Sequence, residues 1–76
     1  MDDDQMVYIN FTETTEYNLE LEFAEMAKVL GVNKKKLKAI VVDGEAFEPS
    51  DAAVVRMRKR ADVADGEVTV DDVGEA

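Results

Sequence analysis

Residues 23–49, FAEMAKVLGVNKKKLKAIVVDGEAFEP, decide the fold, because they admit two readings that part after Gly31-Val32-Asn33. In one, Leu37 to Val42 is a buried strand: Ile40, Val41 and Val42 are consecutive β-branched residues, and Asp43-Gly44 behind them is the strongest two-residue hairpin signal in the chain. In the other, the segment is a second helix, with Leu37 and Ile40 on its inner face and Lys34, Lys35, Lys36 and Lys38 crowded at its start.

Upstream the pattern is less divided. Val7, Ile9 and Phe11 alternate with Met6, Tyr8 and Asn10, which predicts a strand over 6–11. A polar connection at 12–16 is followed by Tyr17, Leu19, Leu21 and Phe23 alternating with polar residues, the pattern of a second strand with one wet face. Leu19, Phe23, Met26 and Leu30 also share a helical face, and from Ala24 to Leu30 the helical period takes over, with Gly31 placed to cap it in the left-handed conformation.

Downstream, the strand reading makes Glu45-Ala46-Phe47 a short return strand closed by Pro49. Ser50 and Asp51 look like a helix start, with helix formers to Lys59; a short helix or a loop fits there. Asp65-Gly66 marks a turn, and Glu67 to Val70 a last strand. The core expected from this pattern is Val7, Ile9, Phe11, Leu19, Leu21, Phe23, Met26, Leu30, Leu37, Ile40, Val42, Phe47, Val68 and Val70.

Seventy-six residues suffice for one small domain, and 46% hydrophobic residues favour a folded unit over disorder. The expected division is an acidic disordered tail at 1–5, one domain at 6–71 and a flexible C-terminal tail at 72–76. Net charge is −9, unevenly spread: −8 over residues 1–27, +5 over 28–60 and −6 over 61–76. The middle is a basic island of Lys34, Lys35, Lys36, Lys38, Arg56, Arg58, Lys59 and Arg60, either a solvated face or a contact surface for an acidic partner. An acidic surface with its bases confined to one region also suits a high-salt cytoplasm, so a halophilic source is expected.

The chain has neither Cys nor His, which removes disulfides, thiolate chemistry, zinc sites and His-based acid–base catalysis. No phosphate-loop or paired-carboxylate motif organises the remaining acids and hydroxyls, so no enzyme, metal or cofactor is expected. With no signal peptide or long apolar run, a cytoplasmic protein without a membrane partner is the default.

Taken in the strand reading, the order strand, strand, helix, strand, turn, short strand, connection, strand is that of a ubiquitin-like β-grasp. The residues Leu30-Gly31-Val32-Asn33, Leu37-x-Ala39-Ile40-Val41-Val42-Asp43-Gly44-Glu45 and Val63-x-Asp65-Gly66-Glu67-Val68-x-Val70 resemble the small sulfur carriers of thiamine biosynthesis and tRNA thiolation. They are also similar to the archaeal small modifiers and the small subunit of molybdopterin synthase. The resemblance covers about residues 5–74 and implies an α+β fold with a mixed four- to five-stranded sheet and one main helix. It further implies a protein-binding module, sulfur carrier or modifier whose C-terminal tail, Gly74, Glu75 and Ala76, engages an adenylating enzyme. The family ends in Gly-Gly, whereas this sequence ends Gly74-Glu75-Ala76, so the chain as given is not expected to form a thiocarboxylate or a conjugate.

The helix reading leads elsewhere. Ala27, Gly31 and Leu37 keep the spacing of helix contact, turn and recognition-helix core in a helix-turn-helix, and Lys34 to Lys38 then stand where base and phosphate contacts are made. Against it weigh the Ile40-Val41-Val42 run and the net negative charge, so a protein partner is favoured over nucleic acid.

Overall fold

The structure, a computed structural model, describes residues 1–64 and 66–76. The alternating segments pair as expected: β1 (Met6–Thr12) and β2 (Glu16–Glu22) form an antiparallel hairpin in which Ile9 faces Leu19 and Phe11 faces Tyr17. Val7, Ile9 and Phe11 are fully buried, and Phe11 stacks on Tyr17 with ring centroids 5.6 Å apart.

Three helices follow: α1 (Phe23–Leu30), α2 (Lys34–Asp43) and α3 (Asp51–Ala61), and β3 (Thr69–Glu75) then closes the chain. The sheet order is β2-β1-β3, so β1 is central and both its neighbours run antiparallel to it. α1 and α3 pack on β2 and on each other, while α2 packs on α1 and β3.

The fold is therefore α+β with a three-stranded antiparallel sheet and three helices, and it corrects the expected β-grasp at two places. Leu37 to Val42 is helical, and Glu45 to Phe47 forms no return strand. Helix costs for β-branched residues are only a few tenths of a kcal/mol each, and packing outweighs them. Leu37 and Ile40, three residues apart, are buried together, while Val42, expected in the core, is 55% exposed.

Both ends of α2 are capped. Asn33 accepts a hydrogen bond from the Lys36 backbone N–H at 2.7 Å, and Gly44, at φ 70°, ends the helix. A glycine with positive φ serves a tight hairpin and a helix C-terminus alike, so Asp43-Gly44 does not discriminate between them.

α1 has no side-chain cap. Instead Phe23 and Ala24 donate their backbone N–H groups to the carbonyls of Gln5 and Asp3, which ties residues 1–5, expected as a free tail, onto the helix start. Its end is a paired glycine cap, with Gly31 at φ 69° and the Val32 N–H reaching the Ala27 carbonyl. α3 is capped by Ser50, whose hydroxyl accepts from the Ala53 N–H, and buries Ala53 and Met57. The turn expected at Asp65-Gly66 begins at a residue outside those described.

Because Leu37 is fully buried, Leu37→Ala is expected to cost about 2–5 kcal/mol in chemical denaturation. A loss under about 0.5 kcal/mol, the size of an exposed-site change, would mean that α2 is not packed against the sheet as described.

Candidate nucleic-acid interface

Two short helices, α1 and α2, are joined by the three residues Gly31-Val32-Asn33, and the second carries the first half of the basic island. The left-handed Gly31 ends α1 and the Asn33 cap starts α2, while Ala27, Leu30 and Leu37 belong to the buried core. On the outer side Lys34, Lys38 and Val42 follow at four-residue steps with Lys35 beside them, all exposed.

Two of these lysines are paired with exposed acids. The Lys34 ammonium lies 2.9 Å from the Asp3 carboxylate, and Lys36 pairs with Glu45. Lys35 and Lys38 have no ion-pair or hydrogen-bond partner among the described residues. Exposed pairs of this kind contribute roughly 0–1 kcal/mol, so a phosphate can displace either acid at small cost.

α2 has no acid in its first turn and no base in its last. Cations at a helix N-terminus oppose the macrodipole by about 0.3–1 kcal/mol each. The cluster therefore works against the stability of its own helix, while the free N–H groups and ammonium groups together form an anion-attracting end.

The second half of the island is placed differently. Arg58, Lys59 and Arg60 occupy the last turn of α3, where cations complement the dipole. Arg58 also donates to the Gly66 carbonyl at 2.9 Å, and Arg60 pairs with Glu25. The Arg56 Nε donates to the Val29 carbonyl at 2.8 Å, and its guanidinium covers Gly31 so closely that a Cβ there would stand 2.7 Å from Nη2. Lys28 joins Arg56, Lys59 and Arg60 in a cleft between α1 and α3, a grouping that spacing alone did not single out because the partners come from different helices. Asn33 was legible as a capping residue type before a helix; Asp3 was not, because nothing local links it to Lys34.

Gly74 and Glu75 lie within β3, and the Ala76 N–H donates to the Met6 carbonyl. They are part of the sheet where a free tail was expected. Gly74 faces Tyr8 across the strands, and the phenol ring lies over it, 3.0 Å or less from where a Cβ would stand. The side chain of Gln5 donates to Glu75 at 3.0 Å.

No family model matches the chain, and comparison with curated proteins and with solved structures found no match. Among the described residues no helix is long and apolar enough to cross a membrane.

The Tyr8 hydroxyl donates to the Asp72 carboxylate at 2.6 Å, and this bond, then desolvation, then charge repulsion raise the phenol above its ordinary 10.0. A raised folded value means that the contribution is fully present below about pH 10 and is lost as pH climbs through the folded-state value. In a phenolate absorbance titration one tyrosine is thus expected to ionise late. Asp72→Asn should bring that step down and Tyr8→Phe should remove it; a late step surviving both changes would show that another group causes it.

Proposed function

We propose that this chain is a small helix-turn-helix module that binds duplex DNA, with α1 as the supporting helix and α2 as the helix presented to the major groove. The observation that carries this reading is the set of four exposed lysines on the first turns of α2, placed against the helix dipole. Two of the four, Lys35 and Lys38, have no partner among the described residues, and charges set against the dipole without a fold contact are expected where a ligand repays them. In this arrangement Lys35 and Lys38 meet phosphates or the guanine edge directly, while Lys34 and Lys36 exchange Asp3 and Glu45 for phosphate.

The net charge of −9 is unevenly spread: fourteen of the acids lie in residues 1–27 and 61–76, although Asp3 and Glu45 stand against Lys34 and Lys36. The outer face of the sheet carries Glu16, Glu20, Glu22 and Asp72 around Tyr8, Asn10 and Thr12, and no base. That face lies behind the helices in a body at least 20 Å across, about twice the ~10 Å screening length at 0.1 M salt. DNA approaching α2 meets the local cations at close range and the sheet only through screened distance. An acidic protein partner, which the composition favoured, would use the same lysines without needing the groove geometry of α2.

A labelled duplex titrated at about 50 mM salt is expected to bind in the micromolar range, with log K falling linearly with log salt. Lys35→Glu/Lys38→Glu should abolish that binding without unfolding the chain, since both side chains are exposed. Absence of any duplex binding by the intact chain would sink the reading and return the lysines to a protein partner.

Asp3→Asn makes a second expectation. It keeps the backbone carbonyl that ties down Ala24 but removes the competitor for Lys34, so duplex affinity should rise about two- to fivefold, the worth of an exposed pair. An unchanged affinity would show that Lys34 faces away from the DNA.

A further inference from the structure

The open cleft between α1 and α3 is lined by Glu25, Lys28, Val29, Arg56, Lys59 and Arg60 and has a volume of about 260 Å³. Four cations face one carboxylate there, and that carboxylate is engaged by Arg60. The Arg56 guanidinium is held in place by the Val29 carbonyl and by its seat on Gly31, which leaves its terminal N–H groups pre-oriented. Lys28 and Lys59 are exposed and have no partner among the described residues.

The turn that leads into α2 begins beside the cleft. Gly31, under the Arg56 guanidinium, stands three residues before Lys34. α1 stands between α2 and α3 in contacts, and packed helices lie about 8–10 Å apart, so α3 lies up to about 16–20 Å from α2. That exceeds a groove about 12 Å wide, so with α2 in the groove the α3 side of the cleft would stand over the flanking phosphates.

We propose that this cleft is a second contact to the same duplex, a clamp on the phosphate backbone flanking the groove that α2 enters; the proposal rests on the DNA-binding reading above. It assigns Lys28, Arg56 and Lys59 a positioning role: they set the register of the module on DNA and carry no sequence information of their own. Glu25, by holding Arg60, limits the clamp to the remaining three cations.

The test is the salt dependence of binding to a random-sequence duplex of about 20 base pairs by the full chain and two charge-neutralised variants. Each phosphate contact contributes about 0.9 to the slope of log K against log salt, so Lys28→Gln/Lys59→Gln should lower the slope by about 1.8 and weaken binding about tenfold or more at 0.1 M salt. Lys35→Gln/Lys38→Gln is the comparison, reporting on α2. Should the double cleft variant lose its fold by circular dichroism, Lys59→Gln alone is read, with an expected slope loss of about 0.9. A cleft variant with the wild-type slope, alongside an α2 variant that loses binding, overturns the clamp and leaves the DNA-binding reading standing. Wild-type chain that binds no duplex overturns both.

Discussion

Everything in this fold depends on covering one face of β1. Val7, Ile9 and Phe11 are completely buried, and each such side chain contributes about 1.5–3 kcal/mol when taken from water. A chain this small has few alternatives, so β2 and β3 satisfy both edges of β1 while the helices are laid over its apolar side. The eight residues of α1 and ten of α2 are too short to persist alone, and their buried faces, Met26 and Leu30 or Leu37 and Ile40, hold them as helices.

That dependence explains which parts of the fold were legible. The period-two runs at Val7-Ile9-Phe11 and Tyr17-Leu19-Leu21, the helical stripe of Phe23, Met26, Ala27 and Leu30 and the cap at Gly31 are local patterns that tertiary packing reinforces. Leu37 to Val42 carried a conflict, because Ile40-Val41-Val42 favours strand by propensity whereas Leu37 and Ile40 favour helix by spacing. Burial decided for the helix, leaving Val42 in water, and sequence alone cannot weigh packing that involves β3 some 30 residues away. The lysines of the site were legible as a cluster; their division between a free helix end and a cleft was not, since it depends on which face of α3 meets α1.

The C-terminal strand shows a second limit. Val68 and Val70 alternate inward, but a strict alternation would send Val73 outward. Pairing passes from Asn10–Asp72 to Phe11–Val70, so Asp71 is an extra residue on β3, and this bulge resets the parity and lets Val73 join Val70 against the core. Thr12 donates to the displaced Asp71 carboxylate at 2.6 Å. An alternation count stops at the bulge, which is why the strand reads as ending at Val70 and Gly74 reads as tail. Gly74 is instead a glycine that its cross-strand partner Tyr8 covers, where any side chain would have to push the ring aside.

The charges follow a different logic from the core. On α3 the cations stand at the helix end where the dipole favours them, and Arg56 and Arg58 are tied to backbone carbonyls, so these residues would be retained for stability alone. On α2 the lysines stand at the end where the dipole disfavours them, and the two acids that partly neutralise them, Asp3 and Glu45, come from outside the helix. A fold selected for stability alone would exchange these positions, placing acids in the first turn and bases in the last. Keeping the reverse arrangement next to a capped three-residue turn leaves Lys35 and Lys38 exposed without a partner among the described residues, and it is on this arrangement that the DNA-binding proposal rests.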